Sequence, residues 1–159
     1  MRIQNLAKIT LTGLIAIVML AACEEKNPDE GYALIPDVHI SREINIKQPE
    51  YDDLNHPGGY VYLDEGFRGV IVVQTYENRF KALERACPSA PKKTCARATV
   101  DSSRLFIGCG NYADSQWQEC TQSKFNLDGS VMEGPADRPM KSYHLQKDGD
   151  FLLITNQGR

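Results

Sequence analysis

The sequence predicts an all-β domain, on three observations. Short apolar stretches recur from about residue 36 to 156, each bounded by a cluster of Gly, Pro, Asn or Asp. Several of these stretches are β-branched or alternate apolar with polar residues. No segment sustains a 3.6-residue apolar repeat over three turns, and no internal repeat or linker divides the stretch.

The strands follow in order. Val38-His39-Ile40 and Ile44-Asn45-Ile46 carry apolar residues on alternate positions. Asn55-His56-Pro57-Gly58-Gly59 is a turn leading into a strand at Tyr60-Val61-Tyr62-Leu63, and Asp64-Glu65-Gly66 turns the chain again. Val70-Ile71-Val72-Val73 is a continuous β-branched run suited to a buried strand. Phe80-Lys81-Ala82-Leu83 and Leu105-Phe106-Ile107 are further strands. Asp128-Gly129, between Phe125-Asn126-Leu127 and Val131-Met132, signals a hairpin. Residues 140–145 and Phe151-Leu152-Leu153-Ile154 close the chain around Lys147-Asp148-Gly149.

Composition sets the class. The 159 residues are 42% apolar and 25% charged, which supports one domain with its own core and excludes wholesale disorder. Formal net charge is -3, from 18 basic and 21 acidic residues. The first 22 residues hold Arg2 and Lys8 and no acid, so the remainder has 16 basic and 21 acidic groups, a net of -5. Nucleic acid is therefore not an expected partner.

Arg2 and Lys8, an apolar run over 9–20, Ala21 and Ala22 form a secretory signal, too short to span a bilayer. Leu20-Ala21-Ala22-Cys23 matches the bacterial lipobox, in which the chain is cut before the cysteine and its thiol carries diacylglycerol. The expected organisation is a lipoprotein signal peptide at 1–22, a lipid-anchored tether at 23–35 and the β domain at 36–159. The acidic run Glu24-Glu25-Lys26-Asn27-Pro28-Asp29-Glu30 reads as a solvated tether, and it also resembles the surface-export signal of Bacteroidetes lipoproteins.

Four further cysteines, Cys87, Cys95, Cys109 and Cys120, lie within 34 residues. An even count in an exported chain favours two disulfides. Spacings of eight, fourteen and eleven residues contain no C-x-x-C knuckle, which leaves a four-cysteine zinc site as the lesser alternative. His39, His56 and His144 are isolated from one another and read as surface or strand-edge residues. No G-x-S-x-G or phosphate-cradling glycine loop is present. Turn chemistry accounts for Asp101-Ser102-Ser103 and Asp52-Asp53. No catalytic residue is predicted.

Several segments together resemble a Rieske [2Fe–2S] domain. Arg85-Ala86-Cys87-Pro88, Leu105-Phe106-Ile107-Gly108-Cys109 and Ser123-Lys124-Phe125-Asn126-Leu127-Asp128-Gly129 look like the surroundings of its two cluster loops. Gly134-Pro135-Ala136, Pro139 and Tyr143 are similar to the segment after the second loop. His56-Pro57-Gly58-Gly59-Tyr60-Val61-Tyr62 with Arg68-Gly69-Val70-Ile71 resembles the upstream half of Rieske-like lipoproteins from Bacteroidetes. The likeness covers residues 38 to 156 and implies an antiparallel β-sandwich or partial barrel with two ligand-type loops.

A Rieske centre takes two cysteines on one iron and two histidines on the other. The first loop here reads Cys87-Pro88-Ser89 and the second Cys109-Gly110-Asn111-Tyr112, so Ser89 and Tyr112 stand where the resemblance puts histidines. Aligning Cys120 instead gives Cys120-Thr121-Gln122-Ser123, again without histidine. Residues 110–119 form a long loop where the family has a tight one. The resemblance thus implies a retained fold with degenerate ligands, no cofactor, and bridges Cys87–Cys109 and Cys95–Cys120. The competing pattern is sequential, Cys87–Cys95 and Cys109–Cys120.

Two functions compete on this reading. One is a non-catalytic, cluster-free subunit of an outer-membrane secretion or uptake assembly, held to lipid through Cys23 and meeting an outer-membrane or periplasmic protein. Tyr112 and Trp117 would then be a docking surface or a cover over their own core. The other is electron transfer through a [2Fe–2S] cluster held by the four cysteines. A hydrolase ranks last, since no nucleophile and base are paired in the sequence.

Overall fold

The computed structural model describes residues 35–156, so the signal, Cys23 and nearly all of the tether lie outside the described residues. The described chain is nearly all β, with one 3-10 helix at Pro49–Asn55. Six strands form the larger sheet: β1 (Ser41–Asn45), β2 (Tyr60–Leu63), β3 (Val70–Gln74), β4 (Phe80–Glu84), β9 (Ser142–Asp148) and β10 (Phe151–Thr155). Their spatial order is β1-β10-β9-β4-β3-β2, and the sheet curls into an antiparallel half-barrel. The smaller sheet has the order β5-β6-β7-β8, from Ala98–Val100, Ile107–Ala113, Gln116–Phe125 and Val131–Glu133.

Strand β3 divides the core. Its four apolar residues are fully buried, and the period of two sends them to opposite sides. Val70 and Val72 join Ile44, Leu54, Ala82, Tyr143, Leu152 and Ile154 in one cluster. Ile71 and Val73 join Leu83, Ile107, Phe125 and the buried pair Cys87 and Cys109 in the other.

The structure moves several predicted boundaries. Residues 38–40 are not a strand, and His39 lies in the segment before β1. There the Asn156 side chain replaces a ladder, accepting from the Ile40 amide and donating to the Val38 carbonyl at 2.6 Å. Leu105 and Phe106 belong to a turn in which Asp101 Oδ1 accepts from the Ser103 amide at 2.8 Å, so β6 begins only at Ile107. Phe125 pairs with Val131, while Leu127 leaves the ladder and turns into the core. β9 begins at Ser142, since the Met140 amide is bonded to Gly129. β5 and the 3-10 helix carry no apolar period long enough to announce them.

Residues 110–119 are not a loop. They are the two arms of a hairpin, with Tyr112 opposite Trp117 and Ala113 opposite Gln116. Asp114 and Ser115 both take positive φ, 50° and 64°, the geometry of a two-residue type I′ turn.

One buried carboxylate ties this frame together. Glu84 ends β4 at 0% exposure. Its Oε1 accepts from the Arg68 amide at 2.9 Å and the Ala86 amide at 3.0 Å. Its Oε2 accepts from the Phe67 amide at 2.9 Å and the Tyr143 hydroxyl at 2.6 Å. Burial, and then the hydrogen bond to Glu84, hold the Tyr143 hydroxyl well above its ordinary pKa. Gly66, at φ +79°, is confined by the same group: a Cβ there would stand 2.8 Å from Glu84 Oε2.

Removing the carboxylate strands three backbone donors and a hydroxyl. Glu84→Ala is expected to destabilise the domain by about 4 kcal/mol, and Tyr143→Phe by about 1.5 kcal/mol. Urea unfolding of the two variants tests the ratio; near-equal losses would mean that the backbone donors find other partners.

Candidate functional site

The segment leaving β4 reaches the small sheet through Cys87, which is bonded to Cys109 on β6 with the Cα atoms 5.9 Å apart. Cys95 is bonded to Cys120 on β7, Cα to Cα 5.5 Å. These are the two bridges that the Rieske resemblance implies, and both join the 87–97 segment to the β6–β7 hairpin. Ladder register explains how Cys120 is freed for its bridge. Cys109 pairs with Thr121 and Gly110 with Glu119, so Cys120 falls in a bulge outside the ladder.

The segment between the bridges has no regular structure and is pinned by side chains. Arg68 donates from Nε to the Pro91 carbonyl and from Nη1 to the Thr94 carbonyl, each at 3.1 Å. Ser89 Oγ lies 3.0 Å from Ser123 Oγ and 3.2 Å from Thr121 Oγ1, and Ser123 is buried. Aligning the second loop on Cys109 puts Tyr112 in the position matching Ser89, and aligning it on Cys120 puts Ser123 there. The structure brings Ser123, together with Thr121, to Ser89.

Tyr112 packs edge-on against Trp117 across the hairpin, ring centroids 5.2 Å apart. Trp117 lies over Gly108 and Gly110, where a Cβ on Gly110 would come within 2.8 Å of its ring and 2.3 Å of the Gln118 carbonyl. The ring therefore covers backbone that only glycine leaves open, while 38% of the residue remains exposed. Asp101, Phe106, Tyr112, Trp117, Glu119 and Lys124 border a groove of about 340 Å³ there.

The histidines sit elsewhere. His39 and His144 line a groove at the β1–β10–β9 end, and His56 follows the 3-10 helix. Among the described residues, no group of three or more His, Cys, Asp or Glu side chains is arranged to hold a metal ion. Asp53 has structural duties, accepting from the Tyr60 amide at 3.0 Å and pairing with Arg104 at 2.8 Å. The sequence reading missed Glu84, although its place two residues beyond Ala82 puts a charge on an inward strand position.

The chain matches no protein-family model. A stretch of 54 residues is 39% identical to the Cytochrome b6-f complex iron-sulfur subunit 2 of Trichormus variabilis, covering 31% of this chain and 30% of that protein. The quaternary ammonium Rieske monooxygenase CntA superposes with a TM-score of 0.52 at 14% identity, over 76% of this chain and 32% of that one. The plasma membrane Rieske protein PetC3 of Synechocystis PCC 6803 gives 0.48 at 20% identity, over 70% of this chain and 97% of that one. The chain thus spans about a third of the length of the first two proteins. The fold is Rieske-like, an antiparallel half-barrel carrying a smaller sheet with two loop-joining bridges.

The two bridges differ in surroundings. Cys87 and Cys109 are fully buried in the core, whereas Cys95 is exposed and Cys120 half-buried. Replacing Cys95 and Cys120 by Ser is expected to cost about 3 kcal/mol, the loop-closure contribution. Replacing Cys87 and Cys109 by Ser adds two hydroxyls to an apolar cluster and is expected to cost more. Unfolding curves compare the pairs, and non-reducing peptide mapping should recover a peptide joining the Cys87 and Cys109 segments.

Proposed function

We propose that this protein is a non-catalytic, cluster-free Rieske-like module, anchored to the outer membrane through a lipidated Cys23. It serves as an accessory subunit of a secretion or uptake assembly. One observation carries the reading: the two cysteines that would share an iron are bonded to each other. The first-loop position that would carry an imidazole is Ser89, whose hydroxyl is engaged with Thr121 and Ser123. This donor set, two sulfurs in a disulfide and neutral hydroxyls, does not fit a cluster needing two thiolates and two imidazoles. The bridge instead supplies the cross-link between loops that a cluster would give.

The exposed Tyr112–Trp117 hairpin supports an interaction role, since an aromatic pair of this kind offers contact area at low entropic cost. The lipobox ending at Cys23 supports the anchor. A diacylated cysteine binds membranes far more firmly than one myristoyl chain.

Aerobically purified mature protein is expected to be colourless and free of stoichiometric iron by metal analysis and visible absorption. About two iron per chain with a thiolate-to-iron band would establish the electron-transfer reading instead. Separately, Cys23→Ala is expected to move the protein from the membrane to the soluble fraction. A variant still pelleting with membranes after a salt wash would overturn the anchor.

A further inference from the structure

Arginine 85 presents an unresolved charge. The residue is 8% exposed, and its guanidinium carbon lies 3.8 Å from the centroid of the Tyr62 ring. Its Nε donates to the Ala98 carbonyl at 2.9 Å. Among the described residues, its two terminal nitrogens have no hydrogen-bond partner, and it takes part in no ion pair. The fully enclosed side-chain atoms without a partner are Gln74 Oε1 and Asp128 Oδ1 alone among those residues, so the Arg85 terminal nitrogens keep some contact with solvent.

A second guanidinium converges on the same place. Arg97, on the returning limb of the bridged segment, donates from Nε to the Arg68 carbonyl at 3.0 Å. A Cβ on Gly69 would stand 3.1 Å from both Arg85 Cδ and Arg97 Nη2, so the two side chains meet over that glycine. Burial first, and then the charge of Arg97, push the Arg85 pKa down to about 10. The carboxylates whose charge reaches Arg85 are Asp64 and Glu84. Glu84 has both oxygens occupied by four donors, and Asp64 is exposed without an ion pair to either arginine.

A nearly buried guanidinium beside a like charge is costly unless an anion compensates it. Its planar fork suits two oxygens of a carboxylate or phosphate group. We propose that Arg85 and Arg97, above Gly69 and against the Tyr62 ring, form a binding site for an oxyanion of the carboxylate or phosphate type.

The test follows the Arg side-chain N–H resonances of the purified mature protein during titration with sodium phosphate, with sodium acetate, and with sodium chloride at matched ionic strength. The Arg85 and Arg97 signals are expected to shift saturably with phosphate or acetate and not with chloride. Response to one of the two identifies the oxyanion class. Arg97→Gln, which removes a half-buried side chain with one carbonyl contact, is expected to weaken the apparent affinity by roughly tenfold or more. Because sulfate-like salts stabilise proteins generally, a thermal shift alone is not the readout. Shifts that are linear, equal in chloride, or unchanged in Arg97→Gln would overturn the site and leave the pair solvated by water.

Discussion

The carboxylate of Glu84 is the point on which the two halves of the domain are hung. Among the described residues it has no cationic partner in hydrogen-bond reach, yet both oxygens are satisfied by donors from separate segments. Phe67 and Arg68 come from the β2–β3 turn, Ala86 from the exit of β4, and Tyr143 from β9. Hydrogen bonds to a charged acceptor are about twice as strong as neutral ones, and a buried charge is tolerated only when its acceptor sites are filled. The same contacts dictate a glycine at position 66 and fix the direction in which the chain departs toward Cys87. Arg85, the next residue, then stacks on Tyr62. Two adjacent charges are thus partitioned into separate environments by the path of one strand end.

Beyond Glu84 the segment to Ala98 is governed by cross-links. It has one isolated bridge, Ala86 to Arg97, and turn hydrogen bonds of its own. What orders it comes from outside: two disulfides, the Arg68 clamp on two carbonyls, and the Ser89 hydroxyl on β7. The anchors come from both sheets, Arg68 from the β2–β3 turn and the remaining partners from the β6–β7 hairpin. An unstructured connector held at so many points behaves as part of the small sheet, which is how loops become rigid platforms for recognition.

Legibility in the sequence followed the range of the interactions involved. The run Val70-Ile71-Val72-Val73 announces β3 because burial on both faces needs apolar residues at every position. Asp128-Gly129 and Asp148-Gly149 announce hairpins because the turn chemistry is local. The β6–β7 hairpin gave no such signal. Gly108 and Gly110 weaken its strand pattern because they make room for Trp117, and its turn uses Asp114-Ser115 without glycine. The Asn156 contacts that displace the first strand span 116 and 118 residues, beyond any pattern of neighbours. Bridge pairing was open on spacing alone and was supplied by the family resemblance. The Ser89–Ser123 contact depends on a bulge, and the Arg85–Arg97 convergence on the meeting of two limbs over Gly69.

The placement of the inner bridge explains how such a tip remains ordered on the reading proposed above. Cys87 and Cys109 sit in the cluster with Ile71, Val73, Leu83, Ala96, Ala98, Ile107 and Phe125, so their sulfurs pack as well as link. A disulfide in that position satisfies the thiols without a ligand and leaves the apolar cluster continuous from β3 to β7. The outer bridge lies at the surface and contributes chiefly by closing a loop. Division of labour follows: the inner pair belongs to the core, the outer pair to the connector. On that reading, the surface they hold, which carries the Arg85–Arg97 pair and the aromatic hairpin, keeps its order through the bridges rather than through a prosthetic group.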